Sequence, residues 1–347
     1  MSQKILFQCD YNEGAHPLIM ERLLASNMEQ TSGYSEDHYC RSAADKIRKA
    51  CEDDTLAVHF LVGGTQTNLT VVDAGLRSHQ GVLCAVSGHI NVHETGAVEA
   101  CGHKVLGLPS DDGKISAEQI ENYCHGHFTN ASFEHMVQPG MVYISNPTEL
   151  GTIYSAEELK AIYEVCKKYD LYLFLDGARL GYGLTAPDND LTLPLLAKYT
   201  DAFYIGGTKV GALFGEAVVI SNDSLKKDFR YLIKQRGGML AKGRLLGIQF
   251  DTLFTDDLYF EISKHAITLA EELRAVMAAK GYTFNAPNHT NQIFVVMPDE
   301  HLKKLSEKFE YSYDAQVDET RSCVRFCTSW ATKAENVKAL IEAIESL

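Results

Sequence analysis

One lysine, Lys209, stands in the segment YIGGTKVGALFGEAVVI, residues 204 to 220. Small residues surround it: Gly206, Gly207 and Thr208 before, Val210, Gly211 and Ala212 after. Apolar runs flank the whole. A solvated lysine normally sits among polar groups. Glycine lets another molecule approach the backbone closely. A lysine withdrawn from water has a lowered pKa and becomes a nucleophile. The alternative is a glycine-rich turn with an incidental surface lysine.

Three more segments carry side chains able to do chemistry. VGGTQTN, residues 62 to 68, runs from strand through glycines into a helix start. Backbone N–H groups there bind phosphate, with Gly64, Thr65 and Gln66 as donors. It is neither a Walker loop nor a Gly-x-Gly-x-x-Gly turn. FLDGARLGYG, residues 174 to 183, puts Asp176 at the end of an apolar strand. A carboxylate there needs a partner. That partner is either Arg179, in a structural ion pair, or a protonated ring nitrogen. SGHINVHETGA, residues 87 to 97, offers His89 as acid, base or flat stacking surface. His93 in the same segment reads more readily as structural.

A phosphate cradle, an aspartate and a lysine at successive strand ends, and an imidazole are together the parts of a pyridoxal 5'-phosphate site. The aspartate keeps the pyridine nitrogen protonated, and the lysine holds the cofactor. On this reading the small neighbours of Lys209 leave room for the ring, and Thr208 reaches the phosphate.

The elements that must position these groups alternate. Strand patterns occur at TLAVHFLVGG, GVLCAV, HKVLGLP, MVYISNP, LYLFLD, DAFYIG and EAVVIS. Helical patterns lie between them, including HETGAVEACG at 93 to 102. Two begin with capping boxes, Ser116 with Gln119 and Ser155 with Glu158. Alternation of this kind predicts a mostly parallel sheet covered on both faces, with ligands at the carboxyl ends of its strands. After about residue 245 the pattern changes to a long helix, two strands and a closing helix. We therefore expect a large α/β domain over 1–245 and a smaller α+β domain over 246–347. Residues 1–15 are expected to touch the smaller one.

The chain has 347 residues, is 45% hydrophobic and carries a net charge of −14. No basic run points to nucleic acid, and no apolar run is long enough to span a membrane. The nine cysteines form no Cys-x-x-Cys pair, and the N-terminal apolar patch is too short for a signal peptide. Free thiols in a reducing cytoplasm are the simplest reading. CHGH at 124 to 127 lacks a second ligand cluster, so no metal is expected.

With these segments in hand, the chain resembles the low-specificity L-threonine aldolases of the β-eliminating lyase family. These are pyridoxal-phosphate enzymes of the aspartate-aminotransferase-like fold, type I. The nearest likeness is to a bacterial branch that includes phenylserine aldolases. CDYNEGAHP, GYSEDHY, GGTQTN, GHINVHETGA, PTELGTIYS, DGARL, GGTKVGALFGEA, RGGMLAKGRLLG, NQIFVVMP and VRFCTSW carry it, over nearly the whole chain. DGAR followed by GGTK is the most specific pair.

The resemblance implies roles. Lys209 matches the Schiff-base lysine, Asp176 the pyridine-nitrogen partner and His89 the ring-stacking histidine. Gly64 and Thr65 match the phosphate-binding pair. Arg179 and Arg325 match arginines that hold the substrate carboxylate. The chain also departs from the family pattern. A Thr-His-Asn segment is replaced by SNPTELGT, leaving Glu149 near the missing histidine. Ser-Asp-Thr is replaced by Cys9, Asp10 and Tyr11, with Asn12 as the substitute contact. Gly-Gly-Gly-Met-Arg is replaced by RGGMLAKGR, with Leu240 in place of arginine and Lys242 as the phosphate contact.

The expected activity is aldol cleavage of a β-hydroxy-α-amino acid such as L-threonine, L-allo-threonine or phenylserine, giving glycine and an aldehyde. His89 or a water is the candidate base. β-Elimination or racemisation on the same cofactor, and a non-catalytic metabolite-binding protein, are the alternatives. A homodimer or homotetramer is expected, in which Lys242 and Tyr34 reach a neighbour's site.

Overall fold

The structure, a computed structural model, describes residues 4–347. Its centre is a seven-stranded sheet built from β2 (Ala57–Leu61), β3 (Gln80–Ala85), β4 (Lys104–Leu108), β5 (Gln138–Ser145), β6 (Tyr172–Asp176), β7 (Ala202–Gly206) and β8 (Glu216–Ile220). Their order across the sheet is β2-β8-β7-β6-β5-β3-β4. The five strands from β4 to β7 are parallel neighbours. β8 alone runs against its neighbours β7 and β2. The mostly parallel sheet read from the alternation is thus present, with one reversed strand.

That reversal matters for the site. Gly206, at the end of β7, and Leu61, at the end of β2, both lie opposite Glu216, the first residue of β8. The start of β8 therefore joins the carboxyl-end edge of the other strands. The turn 207–215, which carries Lys209, crosses that edge directly.

Both faces of the sheet are covered, so its strands read as unbroken apolar runs. Alternate residues face opposite ways. Leu173 and Leu175 of β6, with Phe203 and Ile205 of β7, enter one core. Phe174, Ala202 and Tyr204 enter the other. Both capping boxes form, at the helices Ala117–Thr129 and Ala156–Lys168. Replacing such a capping serine by alanine costs about 1 kcal/mol.

The segment 93–102 is not the helix its pattern predicts. It holds one single turn, Ala97–Ala100, and another, His89–Val92, lies just before it. Thr95 and Gly96 lie between them in the left-handed region, at φ 54° and 70°. Left-handed residues cannot continue a right-handed helix. Glu94 stands just before the break, 2.7 Å from His89 Nδ1.

The smaller sheet orders β12 (Ser312–Gln316), β13 (Arg321–Cys327), β10 (Gln292–Pro298) and β9 (Thr283–Phe284), all antiparallel. A separate parallel pair joins β1 (Ile5–Leu6) to β11 (Phe309–Glu310), and Phe7 enters the core of the smaller sheet. The helix Leu258–Ala279 serves both units. Leu258, Tyr259, Ile262, Ala266 and Ile267 pack in a core of the large sheet, whereas Leu269, Leu273 and Met277 pack under the small one.

Candidate active site

The glycines around Lys209 have a reason other than the one read from sequence. A Cβ on Gly177 would lie 1.9 Å from the Tyr204 carbonyl oxygen. One on Gly206 would lie 2.3 Å from that of Ala178, and one on Gly207 2.7 Å from that of Gly215. The Gly206 N–H donates to the Gly177 carbonyl at 2.9 Å. These glycines let the chain's own strand ends meet; the space beside them holds the chain's own backbone and, at Gly207, the Phe250 side chain at 2.8 Å.

At this edge the Asp176 carboxylate is buried and has four neutral donors. Tyr143 Oη and Asn68 Nδ2 donate to Oδ2, at 2.6 and 3.0 Å. Tyr204 Oη and the Ala178 N–H donate to Oδ1, at 2.5 and 2.9 Å. Burial alone would raise its pKa. The positive field of His89 and the two tyrosine hydrogen bonds outweigh burial and hold it below the usual carboxylate value.

The ion pair between Asp176 and Arg179 that the sequence left open does not form. Arg179 instead grips Asp10 from the N-terminal segment, Nε to Oδ2 at 2.6 Å and Nη2 to Oδ1 at 3.0 Å. Asn291 adds a third bond to Asp10 at 2.9 Å. Asp10 is buried, yet Arg179 and Lys209 bring its pKa down to about 2. Asp176 is left without an arginine.

Lys209 feels the charge of both carboxylates. Its carbonyl accepts from Tyr182 Oη at 2.6 Å. Among the described residues nothing hydrogen-bonds its Nζ. Burial, then the charge of Arg179, lowers its pKa against the pull of Asp10, Asp176 and Glu216. That is the direction a nucleophilic amine requires. Glu216 fastens the turn beneath it. Its carboxylate accepts from the Gly207 N–H at 3.1 Å and from Thr208 Oγ1 at 2.8 Å. Thr208 Oγ1 also accepts from the Gly215 N–H at 3.0 Å, so this hydroxyl is committed within the turn. Buried Glu216 has its pKa pushed up to about 8.

His89 opens a short turn after β3. Its Nδ1 lies 2.7 Å from Glu94, and its backbone N–H donates to Glu149 at 2.9 Å. Glu149 also accepts from Ser145 Oγ at 2.7 Å, and burial raises its pKa. The ring of His93 is 5.4 Å from that of His89, centroid to centroid.

The helix Gly64–Gly75 begins without a side-chain cap, so its first N–H groups are open to an anion. A Cβ on Gly64 would approach Tyr204 Oη to 3.1 Å, which keeps this helix start close to the Asp176 cluster. Gln66 is turned inward. It accepts from the Val62 N–H at 3.2 Å and donates to the Arg236 carbonyl at 3.0 Å.

Arg325, on β13, donates to Gln292 at 3.2 Å and to the Gln8 carbonyl at 3.0 Å. Its Nε is buried and has no partner. Asn12 is exposed and bonds only to Gln8 and Cys9. Tyr34 and Lys242 lie apart from all of this. The Tyr34 N–H donates to Ala241, both side chains are exposed, and no bond of the Asp176–Lys209 cluster reaches them. No group of three or more metal-ligating side chains occurs among the described residues.

A family model described as beta-eliminating lyase matches residues 12–300. The chain belongs to that family. A low specificity L-threonine aldolase from a Pseudomonas species is 29% identical over 98% of this chain and 97% of its own. Another from Pseudomonas aeruginosa is 28% identical over 97% and 96%. A threonine aldolase structure from Leishmania major superposes with a TM-score of 0.96 at 44% identity, covering 99% of each chain. An aspartate aminotransferase from Thermus thermophilus, at 14% identity, shares the fold with a TM-score of 0.71 over 99% of this chain and 92% of that one. This is the type I fold expected from the sequence.

In this member of the family, Asn68, Glu94, Tyr143, Tyr204 and Glu216 join the cluster and escape a reading of segments. Two left a trace. Glu216 is a charge opening the apolar run EAVVI. Asn68 is a polar residue one turn into a helix whose inner face is otherwise buried.

Proposed function

We propose that this chain is a pyridoxal 5'-phosphate-dependent aldolase that cleaves a β-hydroxy-α-amino acid to glycine and an aldehyde. The observation that carries this reading is the strand edge itself: a buried lysine with a free, weakly basic amine beside an aspartate given only neutral donors. The residues fit the cofactor. Asp176 suits its ring nitrogen, Lys209 its aldehyde carbon, the Gly64–Thr65 helix start its phosphate and His89 its ring face. When bound, the cofactor stores the electron pair released by bond cleavage.

The chain's own groups do the rest. Arg325, whose Nη groups are held by Gln292 and the Gln8 carbonyl, offers its unpartnered Nε to the substrate carboxylate, a charge-assisted contact that fixes the orientation of the bonds on Cα. Arg179, held by two bonds to Asp10, adds positive field beside it. His89, or a water held on it, takes the proton of the β-hydroxyl. The O–H electrons become the new carbonyl bond as the Cα–Cβ bond breaks. A proton delivered to Cα then yields glycine. Asp176, kept ionised, stabilises the positive charge of the ring nitrogen throughout.

We place Lys242 and Tyr34 at a neighbouring subunit's phosphate in a homodimer or homotetramer. Their exposure and their separation from the chain's own cluster support this. Nine free cysteines support a reducing, cytoplasmic setting.

Assay of the purified protein with threonine, allo-threonine, phenylserine and serine tests the reaction. Aldehyde and glycine in equal amounts are expected. Ammonia with a keto acid would replace aldol cleavage by β-elimination, and inversion at Cα without cleavage would make the protein a racemase.

A further inference from the structure

Glu94 has no role in the reaction as described, yet it is among the most deeply placed carboxylates, its side chain fully buried. One oxygen, Oε1, takes two bonds: His89 Nδ1 at 2.7 Å and Asn68 Nδ2 at 2.7 Å. The other, Oε2, is buried without a partner. An unpaired buried carboxylate oxygen is unfavourable, and an apolar residue would pack there without that cost. Among the described residues His89 is the only group able to carry a positive charge that contacts it. Asn68 Nδ2 also reaches Asp176, so one amide nitrogen ties both carboxylates together.

We propose that Glu94 is a positioning residue for His89: it fixes the ring by Nδ1–H, leaves the Nε2 lone pair free to accept a proton, and strengthens it as a base. A carboxylate on one ring nitrogen selects the tautomer and stabilises the imidazolium that forms when the other nitrogen takes a proton. The surrounding groups bear on the same ring. Asp176 at the end of β6 and Glu149 after β5 favour its charge; Lys209 after β7 and His93 on its own segment oppose it. Burial also opposes the charge, but the Glu94 hydrogen bond with the Asp176 and Glu94 charges prevails, and the His89 pKa lies above the ordinary histidine value.

This inference rests on the proposed placing of His89 over the cofactor, and the test separates the two. Nitrogen and carbon NMR of labelled histidines is run on the full chain, with and without pyridoxal 5'-phosphate, and His89→Asn identifies the signal. In the wild-type protein the neutral His89 ring carries its proton on Nδ1. Glu94→Gln keeps an oxygen for both hydrogen bonds and removes the charge. It lowers the proton affinity of His89 by about tenfold, one pKa unit. Because the base works deprotonated, the acid limb of kcat/KM moves to lower pH by the same amount. A neutral ring protonated on Nε2 in the wild type overturns the proposal without any variant, and so does an unmoved titration in Glu94→Gln. A protein that lacks aldolase activity but shows the Nδ1 proton and the tenfold shift overturns the proposed function and leaves Glu94 in place.

Discussion

The carboxyl edge of the large sheet and the rim around it are built on different principles. At the edge, Asp176, Tyr143, Tyr204 and Asn68 sit on strands or on a helix one turn from a strand, buried, with the other three hydrogen-bonded to Asp176, and buried Glu216 fastens the adjoining turn. At the rim as we propose it, which for Tyr34 and Lys242 is that of a neighbouring subunit's site, Asn12, Tyr34 and Lys242 are exposed, on loops and segments far apart in sequence. Arg325 stands between, half-buried, with one nitrogen unused. Groups that must hold a charge state are locked by packing. Groups that recognise a ligand are left open to it. A site needs both, because preorganised dipoles act most strongly where water is excluded, while recognition requires donors that are not already satisfied.

Substitutions test that contrast. The largest effect belongs to Lys209→Ala, which abolishes the visible absorbance of bound pyridoxal 5'-phosphate and nearly all turnover. A wild-type spectrum and rate in this variant would remove Lys209 from the site. Asp176→Ala comes next. It retains the phosphate contacts but loses about a hundredfold in kcat, the scale of one lost preorganised electrostatic contact. An unchanged kcat would make the carboxylate merely structural and erase the distinction between edge and rim.

Rim substitutions show a different signature. Arg325→Ala raises KM by about ten- to a hundredfold, the range for a lost charge-assisted hydrogen bond, with a smaller change in kcat. Steady-state kinetics that put the whole loss in kcat would move Arg325 into the edge group. The smallest effect in one subunit is that of Lys242→Ala, which weakens cofactor binding without changing the melting temperature. Mixing it with Lys209→Ala subunits sharpens the comparison, since one hybrid site then carries both intact residues and regains activity. An active monomer in sedimentation, or no recovery despite subunit exchange, would return Lys242 to its own surface.

Much of the edge was legible in the sequence because strand ends are. Apolar runs closing on Asp176 and on the Gly-Gly-Thr-Lys turn, and a glycine-led helix start, mark where a parallel sheet gathers ligands. The partners of those residues were not legible. Asp10 meets Arg179 across 169 positions, and Asn68 meets Asp176 across 108; no local pattern encodes such pairs. The glycines beside Lys209 misled for a related reason. A glycine reports only that something approaches, and here the visitor is the chain's own backbone. The broken helix at 93–102 hid Glu94, because a 3.6-residue pattern cannot register two left-handed residues in its middle.

The helix Leu258–Ala279 has a consequence for how the molecule comes apart. It runs on from one hydrophobic core into the other, and the N-terminal strap carries Phe7 into the small core and Asp10 into the site. A chain cut at residue 245 would strip Leu246, Phe250, Leu253 and Tyr259 from the large core and leave them in water. Neither piece has a complete interior of its own. Heat or denaturant therefore meets a single cooperative unit, with one melting transition for both sheets, and Arg325 on the small sheet cannot be loosened without loosening the edge that carries Asp176 and Lys209.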